Sequence, residues 1–127
     1  MNPARILVVE DNDKNLKLVR DVLSYAGFEV VEARTGEQGV ALAEETAPDL
    51  VLMDLQLPGI DGVEALRRLR ANPATSDVPV VAVTAFAMKE DRELTRKSGF
   101  DGYMTKPVSV RLLPEQVRSY LHRELGP

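Results

Sequence analysis

Short, continuous runs of apolar residues recur along this chain, and each run ends abruptly in polar residues. The three clearest runs are Ile6-Leu7-Val8-Val9, Leu50-Val51-Leu52-Met53 and Val80-Val81-Ala82-Val83. Runs this short and this apolar favour strands that are buried on both faces, which is what a parallel sheet requires. Val30-Val31 predicts a weaker strand nearer an edge, and Gly102-Tyr103-Met104 predicts a short one.

Helical patterns lie between the predicted strands. Thr35 and Asp61 each stand where a helix N-cap is expected, with Gln or Glu three residues later. In the fourth helical segment, Leu94 is the expected apolar anchor. The order strand then helix, repeated five times, predicts an α/β fold with five parallel strands, right-handed crossovers and helices on both sheet faces.

Composition excludes several classes of function. The 127 residues fit one domain with one core, so we expect residues 1–127 to form a single domain with no output domain. The net charge is −4 and no basic stripe is visible, which argues against nucleic-acid binding. The chain has no cysteine, which excludes a disulfide scaffold and a thiolate metal site. Charge interrupts the first apolar run at Glu10, too early for a signal peptide or a membrane span, and this predicts a cytoplasmic protein.

Residues that can carry chemistry follow four of the predicted strands. Glu10-Asp11 follows the first strand, Asp54 the third, Thr84 the fourth and Thr105-Lys106-Pro107 the fifth. Ligands of open α/β sheets bind at the carboxyl ends of the strands, so we expect these side chains to meet at one rim. Each residue alone has an ordinary structural explanation, and only their joint placement predicts a site.

The residue types at this rim suit phosphoryl chemistry on a carboxylate. Clustered carboxylates hold a site open for a hard cation, and Mg2+ prefers oxygen ligands together with a phosphate. A carboxylate such as Asp54 can act as a nucleophile and form an aspartyl phosphate. The ammonium of Lys106 can neutralise phosphoryl oxygens, and the hydroxyl of Thr84 can donate a hydrogen bond to them.

Four separated segments resemble the receiver domains of two-component response regulators, in that family's order and spacing. The segments are 6–12, 52–62, 83–85 and 103–107, and the resemblance covers essentially the whole chain. It implies the flavodoxin-like (βα)5 receiver fold with strand order 2-1-3-4-5. It also implies signal transduction in which a phosphohistidine on a histidine kinase or phosphotransfer protein donates a phosphoryl group. Such a receiver catalyses its own phosphorylation and dephosphorylation, so we do not expect a multiple-turnover enzyme.

The resemblance assigns roles in the chemistry to individual residues. Asp54 is the expected phosphoacceptor. Mg2+ is the expected cofactor, bound by Asp11, Asp54 and the backbone carbonyl of Gln56, with Glu10 acting through water. Lys106 is expected to contact the phosphoryl oxygens and to be followed by a cis peptide bond to Pro107.

The resemblance also assigns a route for the signal. Thr84 is expected to contact the phosphoryl group and to move toward it, which makes room for Tyr103 to turn inward. A downstream signalling protein is expected on the surface formed by Met88, Leu94, Tyr103 and the last helix. We expect a monomer or a weak dimer.

The same residues bear on the subtype and on several rival functions. The segments around Gln56 and Thr84 resemble both DivK-type single-domain regulators and receivers fused to hybrid histidine kinases. A stand-alone regulator is favoured because the chain starts with Met and ends just after the last helix, and a module excised from a hybrid kinase or larger regulator is the alternative.

An aspartate-nucleophile phosphatase needs an acid where Gln56 stands. A flavodoxin-like cofactor binder needs a phosphate-binding loop where the acidic segment 10–13 stands. A scaffold that is never phosphorylated would not need the intact set of Asp11, Asp54, Thr84 and Lys106.

Overall fold

Strands and helices alternate along the chain, as the apolar runs predict. A computed structural model describes residues 3–85 and 89–124. The strands are β1 Arg5–Val9, β2 Glu29–Ala33, β3 Leu50–Asp54, β4 Val80–Thr84 and β5 Gly102–Thr105. The helices are α1 Asp13–Tyr25, α2 Gly36–Thr46, α3 Gly62–Ala71, α4 Lys89–Lys97 and α5 Leu113–Glu124.

The strands form one parallel sheet in the order β2-β1-β3-β4-β5. Every residue of β3 and β4 is buried, whereas most residues of the edge strands β2 and β5 are only partly buried or exposed. This pattern follows from the sequence, because the fully apolar runs can be covered on both faces only in the middle of the sheet. The predicted fold class and the strand order are confirmed, and so is the edge position of Val30-Val31.

Two apolar clusters cover the two faces of the sheet. On one face, alternate residues of the central strands pack against α1 and α5, with Leu16, Leu23 and Leu113 among the buried side chains. On the other face, the intervening strand residues pack against α2 and α3, with Leu66 and Leu69 among the buried side chains. Successive residues of a strand point to opposite faces, so each short apolar run supplies both clusters at once.

Side-chain caps start three helices close to the ends of strands. The side chains of Asn12, Thr35 and Asp61 accept hydrogen bonds from backbone N–H groups three residues later, at 2.9–3.0 Å. Such caps satisfy donors that the first turn of a helix leaves unpaired. The caps at Thr35 and Asp61 are confirmed, and they begin α2 and α3 after the loops that follow β2 and β3.

The prediction that Leu94 anchors α4 to the core is wrong. Leu94 is 61% exposed, whereas the neighbouring Thr95 is 3% exposed and Phe100, just after the helix, is 7% exposed. Adjacent residues of a helix point about 100° apart. Turning Thr95 toward the sheet therefore turns Leu94 outward. Among the described residues, no helix is both long enough and apolar enough to cross a membrane.

Candidate functional site

The parallel register brings the predicted residues to one rim of the sheet. Val9 lies opposite Met53, so the residues that follow them, Glu10 and Asp54, are neighbours. On the other side, Thr84 at the end of β4 lies opposite Thr105 at the end of β5. The backbone N–H of Lys106 donates to the carbonyl of Thr84 at 2.8 Å, which ties the following loop to this rim.

Lys106 joins the two buried carboxylates of the rim. Its Nζ lies 2.6 Å from Oε1 of Glu10 and 2.9 Å from Oδ2 of Asp54. Glu10 and Asp54 are each only 5% exposed. Two buried carboxylates repel one another unless a cation lies between them, and the ammonium of Lys106 fills that role. The sequence placed Lys106 at the site but did not predict that it would contact Glu10.

The charges at the rim shift the pKa values of two groups. Burial raises the pKa of Glu10, and the adjacent Asp54 raises it further, although hydrogen bonds from Lys106 and from the backbone N–H of Asn12 lower it in part. Burial alone would lower the pKa of Lys106, but hydrogen bonds and charge interactions with Glu10 and Asp54 outweigh that effect and raise it. Lys106 is therefore a fixed positive charge at neutral pH.

Hydrogen bonds also set the orientation of both carboxylates. The Oδ1 atom of Asp54 accepts from the backbone N–H of Gln56 at 3.0 Å, while its Oδ2 atom accepts from Lys106. The Oε2 atom of Glu10 accepts from the backbone N–H of Asn12 at 3.2 Å. A carboxylate held at both oxygens presents one defined direction to an incoming group, which favours a precise reaction geometry.

Three carboxylates are arranged so that they could share a cation. One oxygen from each of Glu10, Asp11 and Asp54 lies within 4.8 Å of the others, and Asp11 is exposed at the mouth of the cluster. Hard oxygen donors of this kind are the ligands that Mg2+ prefers. The carboxylates outnumber the ammonium of Lys106 three to one, so the residues present fit a divalent cation. The side chain of Gln56 is exposed, and its backbone belongs to the loop after Asp54.

Thr84 and Tyr103 lie on the same face of neighbouring strands. Thr84 is 1% exposed and stands two residues beyond Ala82, which pairs with Tyr103. Tyr103 is partly buried, and the guanidinium of Arg92 lies 5.6 Å from the centre of its ring. The backbone N–H of Tyr103 donates to the hydroxyl of Tyr120 on α5 at 3.4 Å. Thr84 and Tyr103, the two residues expected to carry the signal, are therefore close together in the sheet, and Tyr103 contacts both α4 and α5.

A groove of about 520 Å³ runs along β5 between α4 and α5. Arg92 and Arg96 of α4, Tyr103 of β5 and Gln116 of α5 are among the residues that line it. Leu94 is exposed on α4 but does not line the groove. Met88, which was expected on the same surface, lies outside the described residues.

Two further features concern the segments beside Asp54 and Lys106. The peptide bond between Lys106 and Pro107 is cis, as the resemblance implied. Gly62, for which the sequence predicted no role, packs directly against the end of β3. A Cβ atom at this position would lie 2.6 Å from the carbonyl oxygen of Asp54 and 2.9 Å from Cα of Leu55. The available signal was the glycine itself, placed immediately after the helix cap Asp61.

Comparisons with known proteins agree with this geometry. The response regulator receiver domain family matches residues 6–118. The polar-differentiation response regulator DivK of Brucella anthropi is 44% identical over 119 residues, which cover 94% of this chain and 97% of that protein.

Solved structures with the same fold include two receiver domains whose sequences are similar to that of this chain. The CheY-like receiver domain of Methanospirillum hungatei has a TM-score of 0.86 and 31% identity, and the match covers 97% of each chain. The receiver domain of a sensor histidine kinase from Pseudomonas aeruginosa has a TM-score of 0.87 and 34% identity, covering 94% of this chain and 98% of that one. That second structure holds a magnesium ion coordinated in the active-site cleft. Taken with the match over residues 6–118, these similarities show that the chain belongs to the receiver domain family of two-component response regulators.

Proposed function

We propose that Asp54 accepts a phosphoryl group from a phosphohistidine on a histidine kinase or phosphotransfer protein. The observation that carries this proposal is the contact of one ammonium, Lys106 Nζ, with both Glu10 and Asp54 at the carboxyl rim of the sheet. A buried carboxylate beside a fixed cation is suited to attack a phosphoryl group, because the cation stabilises the negative charge of the oxygens that are transferred.

The chemical step is a displacement at phosphorus. An oxygen of Asp54 forms the new bond to phosphorus, and the bond from phosphorus to the donor's imidazole nitrogen breaks, with its electron pair leaving on the imidazole. Lys106 Nζ lies 2.9 Å from Oδ2 of Asp54, close enough to contact the oxygens of a phosphoryl group attached to Asp54. Attack by water on the phosphorus later breaks its bond to Asp54, releases inorganic phosphate and restores the carboxylate. Because the phosphoryl group is transferred to the chain itself, the chain would act as the substrate of this reaction and not as a multiple-turnover enzyme.

Asp11, Asp54 and the backbone carbonyl of Gln56 would hold Mg2+, with Glu10 acting through water. When bound, the metal would offset the repulsion between the carboxylate nucleophile and the phosphoryl oxygens. The close approach of the three carboxylates supports this assignment, as does the magnesium ion in the similar Pseudomonas receiver domain.

Labelling with a small phosphodonor tests the proposal. With acetyl phosphate and Mg2+, we expect the intact mass to rise by one phosphoryl group, and we expect EDTA to prevent that rise. Addition of Mg2+ alone at millimolar concentration should shift the NMR amide signals of Asp11, Asp54 and Gln56. Equal labelling in EDTA would contradict the metal assignment.

The output of phosphorylation would be a shift between two conformations. Thr84 would move toward the phosphoryl group, and Tyr103 would turn into the space that it leaves. The contacts of Tyr103 with Arg92 and Tyr120 support this route, because they connect the rim to α4 and α5. A downstream protein would bind the groove along β5 together with the exposed surface of α4.

Substitution of Thr84 tests the route of the signal. Thr84→Ala should still be labelled at Asp54, because Asp11 and Lys106 remain. It should lose a hydrogen bond worth about 1–2 kcal/mol to the charged phosphoryl group. That loss weakens the conformational shift about tenfold, so the labelled variant should bind a partner much as the unlabelled protein does. Partner affinity equal to that of labelled wild type would show that another element carries the signal.

Two forms of domain organisation are compatible with the receiver assignment. We propose that residues 1–127 act as one receiver domain that signals to separate proteins, and the match to DivK over 97% of that protein's length supports this. The alternative is a receiver module of a hybrid histidine kinase, which the similarity to the Pseudomonas domain favours. The cytoplasmic location, the absence of nucleic-acid binding and the monomeric or weakly dimeric state stay predictions from the sequence.

A further inference from the structure

The loop from residue 55 to residue 61, here called the β3–α3 loop, is held at both of its ends. At its start, the backbone N–H of Gln56 donates to Oδ1 of Asp54 at 3.0 Å. At its end, the backbone N–H of Gly62 donates to the carbonyl of Leu55 at 3.1 Å. These two hydrogen bonds connect the start of the loop to Asp54 and join the two ends of the loop to each other.

Ile60, near the end of the β3–α3 loop, rests on Gly36, the first residue of α2. A Cβ atom built on Gly36 would lie 2.6 Å from Cγ1 of Ile60 and 2.8 Å from the carbonyl oxygen of Ile60. Distances below 3.0 Å essentially never occur for a real Cβ atom. The carbonyl oxygen belongs to the backbone and cannot rotate away as a side chain can. Gly36 therefore allows a close approach of α2 to the loop that any other residue would prevent.

The next residue of α2, Glu37, contacts the loop through its side chain. Gly59 has a φ of 75°, and a Cβ atom there would lie 2.7 Å from a carboxylate oxygen of Glu37. Ile60 and Leu57 of the loop also pack against the apolar cluster between the sheet and α2 and α3. Two consecutive residues of α2 thus face two consecutive residues of the loop, but only the Gly36 contact involves the backbone of the loop, since Glu37 contacts Gly59 with the end of its side chain.

We propose that Gly36 is a positioning residue for the Mg2+ site. This inference rests on the proposed function, because it concerns the metal that Asp54 and Gln56 would share. Gly36 lets the loop sit against α2, and the closed loop carries that position to the backbone of Gln56. If the loop is pushed away, the carbonyl of Gln56 and the hydrogen bond to Asp54 are displaced together, and the metal loses a preorganised ligand.

The chain offers a matched control on the same helix. Gly39, one turn further along α2, is also buried, and a Cβ atom there would lie 2.8 Å from Cγ2 of Val9. The obstacle is a side-chain methyl group of β1 and not the backbone of the loop. Gly36→Ala and Gly39→Ala add the same methyl group to the same helix, at similarly crowded positions, but only the first pushes on the β3–α3 loop.

The test is an NMR titration of each variant with Mg2+, in parallel with hydrogen exchange of the Gln56 amide in EDTA. We expect Gly36→Ala to raise the dissociation constant for Mg2+ about tenfold, which corresponds to about 1.4 kcal/mol. The Gln56 amide should also exchange faster in that variant, even without metal. Gly39→Ala should raise the dissociation constant less than Gly36→Ala does and should leave the exchange of the Gln56 amide as in wild type, because its methyl group presses on Val9, next to Glu10, and not on the loop.

The possible results separate the inference from the proposal on which it rests. If wild type fails to bind Mg2+, the proposed metal site is wrong. If wild type binds Mg2+ and folded Gly36→Ala binds it equally well, the role of Gly36 is wrong. Equal weakening by Gly39→Ala would show a general packing effect and would overturn the inference too. Should Gly36→Ala fail to fold, Ile60→Ala removes the side-chain part of the contact from the loop side and leaves the backbone carbonyl in place. This variant should weaken Mg2+ binding, and unchanged affinity would again overturn the inference.

Discussion

Asp54→Asn is expected to abolish phosphoryl labelling by acetyl phosphate, with no rise in intact mass after Mg2+ is added. The amide oxygen of asparagine is a poor nucleophile and cannot form a stable acyl phosphate, whereas the carboxylate of Asp54 can. The side chain keeps its size and can still accept from the backbone N–H of Gln56, which Asp54 now does at 3.0 Å. The loss should therefore reflect chemistry and not a change of fold.

Asp13→Asn is the matched control for this variant. Asp13 opens α1 close to the same rim, its side chain is 80% exposed, and it pairs with Arg34. It lies outside the cluster of carboxylates that could share a cation, so labelling should match that of wild type. Full labelling of Asp54→Asn would place the acceptor on another residue and contradict the assignment.

Lys106→Met is expected to lower the free energy of unfolding by about 2–3 kcal/mol at neutral pH in the absence of metal. The methionine side chain is close in length to that of lysine, but it leaves the buried Glu10 and Asp54 without the ammonium that lies 2.6 and 2.9 Å away. Chemical denaturation in EDTA measures the change. Addition of Mg2+ should recover part of the lost stability, because the metal would replace the missing positive charge.

The pH dependence of this variant has a defined sign. Burial raises the pKa of Glu10, and Asp54 raises it further, so the folded protein binds a proton at Glu10 more readily than the unfolded chain does. Removal of the ammonium strengthens this preference. The stability deficit of Lys106→Met should therefore be largest at neutral pH and shrink as the pH falls through the folded pKa of Glu10.

Lys17→Met provides the control for loss of a lysine charge. Lys17 pairs with Asp21 at 3.0 Å, but the two side chains are 69% and 52% exposed. Exposed pairs of this kind contribute little to stability because water and salt screen them. We expect the free energy of unfolding of Lys17→Met to differ little from that of wild type at any pH. An equal loss in both lysine variants would contradict a special role for the buried contacts of Lys106.

The residues of the site were predictable because the ends of the apolar runs in the sequence mark the ends of the strands. Asp54 and Thr84 follow apolar runs that can only be central strands, and in a parallel sheet such positions share one edge. The strand order came with the family resemblance, because apolar runs alone do not say which strands are neighbours. Leu94 was misplaced because a helix with one apolar side chain has no apolar periodicity to set its rotation about its axis, and Thr95 occupies the buried position instead.

The sequence by itself determined which strands are central, which residues end them and which chemistry those residues can perform, because these depend on local composition and order. The tertiary structure alone decided which groups contact each other across the rim. Lys106 lies between Glu10 and Asp54 because the loop after β5 passes the end of β4 and reaches the ends of β1 and β3. Gly36 meets Ile60 because α2 and the β3–α3 loop pack together although they are distant in sequence. Contacts of this kind depend on distances between elements, which no local pattern of residues specifies.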